Sequence, residues 1–103
     1  MSAKYRAATL ADLAPGSLRR IRCGEVDVCL ARMGDGSVHA VQDPCSHEGE
    51  SLSEGEIIGG EVECPLHSSR FDLRTGEPRG LPAVDPVRVY PVDIRGEDVY
   101  IEV

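Results

Sequence analysis

Apolar and polar positions alternate over short stretches of this chain, and helical spacing is nearly absent. Thr9-Leu10-Ala11-Asp12-Leu13 allows one helical turn before Pro15-Gly16 stops it. Segments 17–23 and 26–33 flank Gly24-Glu25, a hairpin turn signal, and Gly34-Asp35-Gly36 turns the chain into 37–42. Segments 87–94 and 98–103 flank Arg95-Gly96-Glu97, a three-residue loop with Gly. Val87 and Val89, and then Val99, Ile101 and Val103, occupy alternate positions, as in half-buried strands. Turn signals recurring at roughly 8–12-residue spacing predict an all-β antiparallel sandwich of short strands, or a small barrel. The middle of the chain breaks this pattern. Segments 43–50 and 64–70 are rich in Pro, Gly, Ser, His and Cys and poor in large apolar residues, so they read as loops. Between them, 55–64 reads as a hairpin turning at Gly59-Gly60.

At 103 residues the chain is one domain, 1–103, with no internal repeat or linker. Its longest apolar run is a few residues, far below the roughly 20 of a membrane-spanning helix. No basic start followed by an apolar stretch resembles a signal peptide. A cytoplasmic location is therefore expected, and four cysteines in a reducing compartment point to metal or redox chemistry before disulfides. Eleven basic against 18 acidic side chains give a net charge of −7, which argues against nucleic acid as a partner. The charge is uneven: residues 1–32 carry six basic and three acidic groups, and the remaining five basic and fifteen acidic groups follow. An acidic surface facing a basic partner and simple solubility both account for this.

Candidate chemistry sits in the two loops. They hold Cys45-Ser46-His47 and Cys64-Pro65-Leu66-His67, a C-x-H and a C-x-x-H pair with sixteen residues between His47 and Cys64. Thiolate and imidazole donors together suit zinc or iron. Zinc fingers usually pair Cys with Cys and His with His, so a structural zinc site fits this order poorly. A disulfide, or buried cysteines with surface histidines, would leave the repeated Cys-then-His order to coincidence. A 2Fe–2S centre in which two His replace two Cys on one iron uses such a donor set. Cys23 and Cys29, on either side of the Gly24-Glu25 turn, read as small buried strand residues. His39 follows a valine in a strand and reads as packing.

The C-x-H-x16-C-x-x-H arrangement resembles the Rieske signature. The resemblance extends to 35–41 ahead of the first loop, Leu52-Ser53-Glu54-Gly55, 71–76, Leu81-Pro82-Ala83 and Val89-Tyr90-Pro91-Val92, so it covers about residues 4–103. It is greatest to the small Rieske-type ferredoxins of bacterial aromatic-ring-hydroxylating dioxygenase systems. It implies a Rieske-like antiparallel β-sandwich with a small cluster-binding subdomain of two loops, about 43–50 and 64–71. It implies one 2Fe–2S cluster, with Cys45 and Cys64 on the inner iron and His47 and His67 on the outer iron at an exposed tip. Pro82 matches the loop that covers the cluster from a third side, or is an ordinary turn proline.

Departures from the respiratory branch of that family are informative. Its loop disulfide would fall at Glu50 and Leu66, so it cannot form here. Its hydroxyl donors to the cluster sulfurs fall at Ser69 and Phe71, and Phe71 has no hydroxyl. Reduction adds a negative charge to a chain already at −7. These three features place the midpoint at the low end of the Rieske range, on the order of −150 mV. There is no dinucleotide fingerprint and no histidine beyond His39 for a second iron site, so no catalytic site is expected. The resemblance implies a monomeric soluble one-electron carrier between a flavin-dependent NAD(P)H reductase and a terminal Rieske non-haem iron oxygenase, docking transiently at the histidine tip. The alternative is a small Rieske subunit fixed in a larger oxidoreductase, such as a nitrite-reductase-like or arsenite-oxidase-like complex. Between the ligand pairs lie Glu48, Glu50, Glu54, Glu56, Glu61 and Glu63, with no Lys or Arg, which suggests electrostatic steering of that docking.

Overall fold

A computed structural model of the chain describes residues 3–44, 51–65, 69–79 and 85–103. Within them run ten short strands: β1 (Lys4–Thr9), β2 (Ser17–Cys23), β3 (Val26–Arg32), β4 (Val38–Gln42), β5 (Glu56–Ile58), β6 (Glu61–Glu63), β7 (Arg70–Asp72), β8 (Val89–Tyr90), β9 (Val92–Arg95) and β10 (Asp98–Glu102). Two 3₁₀ turns, Leu10–Asp12 and Leu52–Glu54, complete the regular structure. All strand pairs are antiparallel. They form three sheets, ordered β1-β10-β9, β2-β3-β4-β8 and β5-β6-β7. No helix among the described residues is long and apolar enough to cross a membrane.

The four-stranded sheet lies between the other two, and β3 shows why. Val28, Cys29, Leu30 and Ala31 are all fully buried, so both faces of that strand are covered. Val28 and Leu30 point into a core shared with Ala40, Cys23, Val99 and Ile101, against the β1-β10-β9 sheet. Cys29 and Ala31 point the other way, into a core with Val41, Leu52, Val62, Cys64, Phe71 and Leu73, against the β5-β6-β7 sheet. The second core underlies the two candidate loops.

Tight turns set the hairpins. Gly24, Gly59 and Gly96 adopt φ of 63°, 62° and 63° at the β2–β3, β5–β6 and β9–β10 turns, a region costly to residues with a Cβ. The segment 87–94, which reads as one strand in the sequence, is two. Pro91 lacks the N–H that a continuous ladder needs, and the chain changes sheets there: β8 pairs with β4, and β9 with β10. Val87 is buried but Val89 is 36% exposed, so their expected equivalence fails at this crossing.

Candidate metal centre

The second loop leaves the end of β6. Its stem is closed by the Cys64 N–H, which donates to the Ser69 carbonyl at 2.7 Å. One residue earlier Glu63 faces Arg70 across the β6–β7 ladder, and their side chains form an ion pair at 3.0 Å. Cys64 is 1% exposed, with its side chain in the core beside Val62, Leu52 and Phe71. Ser69 and Phe71 are both fully buried. Strand β7 starts at Arg70, so the loop proper is shorter than the 64–71 expected from sequence.

The first loop leaves the end of β4 and returns at Ser51. Pro44 and Ser51 form an isolated antiparallel bridge, and the Leu52 N–H donates to the Asp43 carbonyl at 2.7 Å. Leu52 is fully buried. Gly55 then lies so close to β6 that a Cβ there would fall on the Glu63 carbonyl oxygen, with the Leu52 oxygen at 3.3 Å. The return limb of the first loop is thereby packed against the residue preceding Cys64. A third segment leaves from the same place and returns at the far end of β7. The Arg79 N–H donates to the Arg70 carbonyl at 2.7 Å, and the Val87 N–H to the Gly76 carbonyl at 2.8 Å. Gly76, at φ 79°, leaves no room for a Cβ against the Val87 carbonyl. The first and second loops therefore open at one end of the β5-β6-β7 sheet, and the third segment leaves from that end at Arg79 but returns at Gly76, in the turn at the other end of β7.

Of the four ligand positions inferred from sequence, Cys64 is described. Cys45, His47 and His67 lie outside the described residues, as do Glu48, Glu50, Leu66 and Pro82. The part that is described suits an iron–sulfur centre: a buried thiol at a hairpin end, packed in one core with Leu52 of the first loop's return limb. Among the described residues no group of three His, Cys, Asp or Glu side chains is placed to hold a metal ion, so no competing site arises there. Cys23 and Cys29 are buried in different cores, as expected of strand packing residues. Burial, with the Asp43 carboxylate adding to it, pushes the Cys29 thiol up to about 12. His39 is half-buried, with its Nε2 3.2 Å from the Ser37 hydroxyl. Burial, and then the Arg74 guanidinium, hold its pKa below the usual imidazole value.

Asp43 was not legible as a site residue. It is 2% exposed, although its side chain is polar. Its carboxylate accepts hydrogen bonds from the Ser51 hydroxyl at 2.6 Å and the Ser53 N–H at 3.0 Å, and Arg20 Nε lies 3.6 Å away. The outward face of the β5-β6-β7 sheet carries Glu56, Glu61, Glu63 and Asp72 against one cation, Arg70, in the strands themselves. Glu56 and Glu63 are directly opposed, a repulsive pairing that the Arg70 ion pair relieves. Asp72 accepts from the Arg74 and Thr75 N–H groups and from Arg79, and the Arg74 N–H does most to hold its pKa below the usual carboxylate range.

The sequence model of the Rieske [2Fe-2S] domain matches residues 3–91. The ferredoxin component of biphenyl 2,3-dioxygenase from Rhodococcus jostii (strain RHA1) is 41% identical over 91 residues, which cover 88% of this chain and 84% of that protein. The ferredoxin of carbazole 1,9a-dioxygenase from Nocardioides aromaticivorans IC177 superposes with a TM-score of 0.91 at 40% identity, covering 96% of both chains. A chain from a complex of reduced oxygenase and oxidized ferredoxin in carbazole 1,9a-dioxygenase superposes with a TM-score of 0.88 at 35% identity, covering 94% of this chain and 99% of that one. These relatives are electron-transfer components, and this chain, like them, is a carrier of one Rieske-type 2Fe–2S cluster with no catalytic role of its own. By the breadth of these matches and the layered antiparallel fold beneath the paired loops, the chain belongs to the Rieske [2Fe-2S] domain family.

Proposed function

We propose that this chain is the ferredoxin of a multicomponent aromatic-ring oxygenase. It takes single electrons from a flavin-dependent NAD(P)H reductase and delivers them to a terminal Rieske non-haem iron oxygenase. In this reading Cys45 and Cys64 hold the inner iron as thiolates, and His47 and His67 hold the outer iron through ring nitrogens. The cluster supplies one-electron redox chemistry when bound. The protein's part is to bury the thiolate side and to leave the imidazole side open to a partner.

One observation carries the reading: the ends of the first and second loops meet at a buried Cys64, at the end of an acidic sheet face. In this reading the partner docks at the tip formed by the two ligand loops. The superposition on a chain from an oxygenase–ferredoxin complex supports an oxygenase as one partner. The large apolar side chains exposed among the described residues, Tyr5, Val89 and Ile94, sit on three different strands. Such scatter favours a monomeric shuttle over a subunit fixed through a broad apolar interface.

The ligand assignment is tested by substitution and spectroscopy. The purified chain is expected to be red-brown, with two irons and two sulfides per chain, and to give a Rieske-type electron paramagnetic resonance signal on reduction. Alanine at Cys45, His47, Cys64 or His67 is expected to abolish or destabilise that centre. Full iron and sulfide content in any of these four variants would overturn the assignment.

A further inference from the structure

The stem of the first ligand loop is held by a charged group in the interior. Asp43 is 2% exposed and stands two residues before Cys45, within about 7 Å along the backbone. Its Oδ2 accepts from Ser51 Oγ at 2.6 Å, and its Oδ1 accepts from the Ser53 N–H at 3.0 Å. Ser51 Oγ and Ser53 Oγ are 2.8 Å apart. Ser51 has one hydroxyl hydrogen and commits it to the carboxylate, so Ser53 must be the donor of that second bond. The Asp43 backbone takes part as well: its carbonyl accepts the Leu52 N–H at 2.7 Å, and its own N–H donates to the Asp27 carbonyl at 3.0 Å. Arg20, on β2, spans Asp27 at 3.1 Å and Asp43 at 3.6 Å. One residue thus ties the outgoing limb of the loop to its returning limb and to the central sheet.

Interior carboxylates are costly unless every lone pair is used, and hydrogen bonds to a charged acceptor are stronger than neutral ones. A neutral apolar residue at 43 could close a loop stem more cheaply, as Leu52 does a few ångströms away. What the carboxylate adds is a set of directed hydrogen bonds to both limbs of the loop, and a negative charge at the loop's stem.

We propose that Asp43, acting through Ser51 and Ser53, is a positioning residue for the first ligand loop: it sets the approach of Cys45 and His47 to the cluster, and its charge favours the oxidised state. The proposal rests on the reading of Cys45 and His47 as ligands.

The test uses the holoprotein with Asp43→Ala, Asp43→Asn and Ser51→Ala, and with Asp93→Asn as a net-charge control in the far sheet. Three quantities are read: iron release to a chelator, hydrogen–deuterium exchange of the 51–55 peptide, and the reduced-to-oxidised ratio at a fixed applied potential. Asp43→Ala removes clasp and charge together and is expected to speed iron release and 51–55 exchange about tenfold or more. Ser51→Ala removes one bond and is expected to give a smaller acceleration of the same kind. Asp43→Asn keeps an acceptor for the Ser53 N–H but loses the charge. Its release rate is expected to stay near that of the parent, while the reduced-to-oxidised ratio rises about threefold or more. Tenfold in that ratio would be about 59 mV for one electron. Asp93→Asn is expected to move neither quantity. If Asp43→Ala failed to assemble a cluster, Asp43→Asn and Ser51→Ala would still decide the matter. Parental release rates, exchange and redox ratio in these variants would overturn the proposal. Cys45→Ala keeps the two failures apart. Full iron in Cys45→Ala defeats the ligand reading, whereas iron loss there beside parental behaviour in the Asp43 series defeats the clasp alone.

Discussion

Among the described glycines lacking positive φ, substituting Gly55 by alanine should cost the most. The residue sits at φ −87° and ψ −147°, so handedness is not what demands glycine. Space is the demand. An added Cβ would fall on the Glu63 carbonyl oxygen, with the Glu63 carbonyl carbon at 3.0 Å and the Leu52 oxygen at 3.3 Å. All three are backbone atoms, so no rotamer change can relieve the contact. Either the Leu52–Glu54 turn or the end of β6 must move, and each bears a stem of the cluster loops. Over-packing of this kind costs about 1–3 kcal/mol, here at the upper end. Alanine recovers about 0.4–1 kcal/mol by restricting the unfolded chain, leaving about 2 kcal/mol. At roughly 4–8 °C per kcal/mol for a domain of this size, the apparent melting temperature should fall by about 8–16 °C. Far-ultraviolet circular dichroism, followed alongside the visible absorption of the cluster, reads both fold and centre, and the visible signal should be lost no later than the fold. Gly34→Ala is the control, since a Cβ there meets nothing within 4 Å and the backbone has no positive φ. A Gly55→Ala melt within about 2 °C of that control would refute the packing argument.

Other expectations follow from the same structure. Cys23→Ser and Cys29→Ser should retain full iron and sulfide, and bleaching in both would defeat the ligand assignment. With its thiol pushed up to about 12, Cys29 should resist alkylation at pH 8 in the folded chain and react once unfolded, whereas rapid native labelling would contradict its burial. Because that folded value lies above the unfolded one, the penalty is absent below about pH 9, and stability falls by about 1.4 kcal/mol per unit as pH rises toward 12. Phe71→Tyr puts a hydroxyl into the core that also holds Cys64. It should raise the midpoint from on the order of −150 mV if it donates to a cluster sulfur, and an unchanged midpoint with a melt lowered by the cost of a buried unpaired hydroxyl would show that it points elsewhere. Electron transfer to either partner should slow as salt rises past the point where the screening length falls to about 8 Å, and Glu48→Gln with Glu50→Gln should lower the association rate without altering the spectrum. Rates flat in salt and unchanged in the double variant would leave those glutamates as ordinary surface.

The hairpins were legible because their turns need residues that only a few side chains can replace: Gly24, Gly59 and Gly96 all sit at positive φ. The run Val28–Ala31 reads in the sequence only as a hairpin strand, and its burial on both faces emerges once the two outer sheets cover it. Strand β1 was hidden altogether. Only Ala8 of its six residues is buried, and its place is dictated by pairing with β10, from Tyr5 opposite Ile101 to Thr9 opposite Asp98. Strand β7 is three residues long, too short for any period to register. Pro91 marked the break between β8 and β9, but the valines on either side of it imitate one continuous strand. At the site, the Cys–His pairs are a local pattern and so could be read from spacing. The Asp43 clasp could not, because Asp43, Ser51, Ser53 and Arg20 come from different segments and acquire meaning only when the fold joins them.

The central claim is that this chain delivers single electrons to an oxygenase. The direct test is stopped-flow mixing of the reduced protein with the oxidised terminal oxygenase encoded in its own genomic neighbourhood, without oxygen, following the visible absorption of both. The account predicts reoxidation of this chain at one electron per molecule, faster than oxygenase turnover and slower at high salt. Reoxidation slower than turnover, or none, would contradict it.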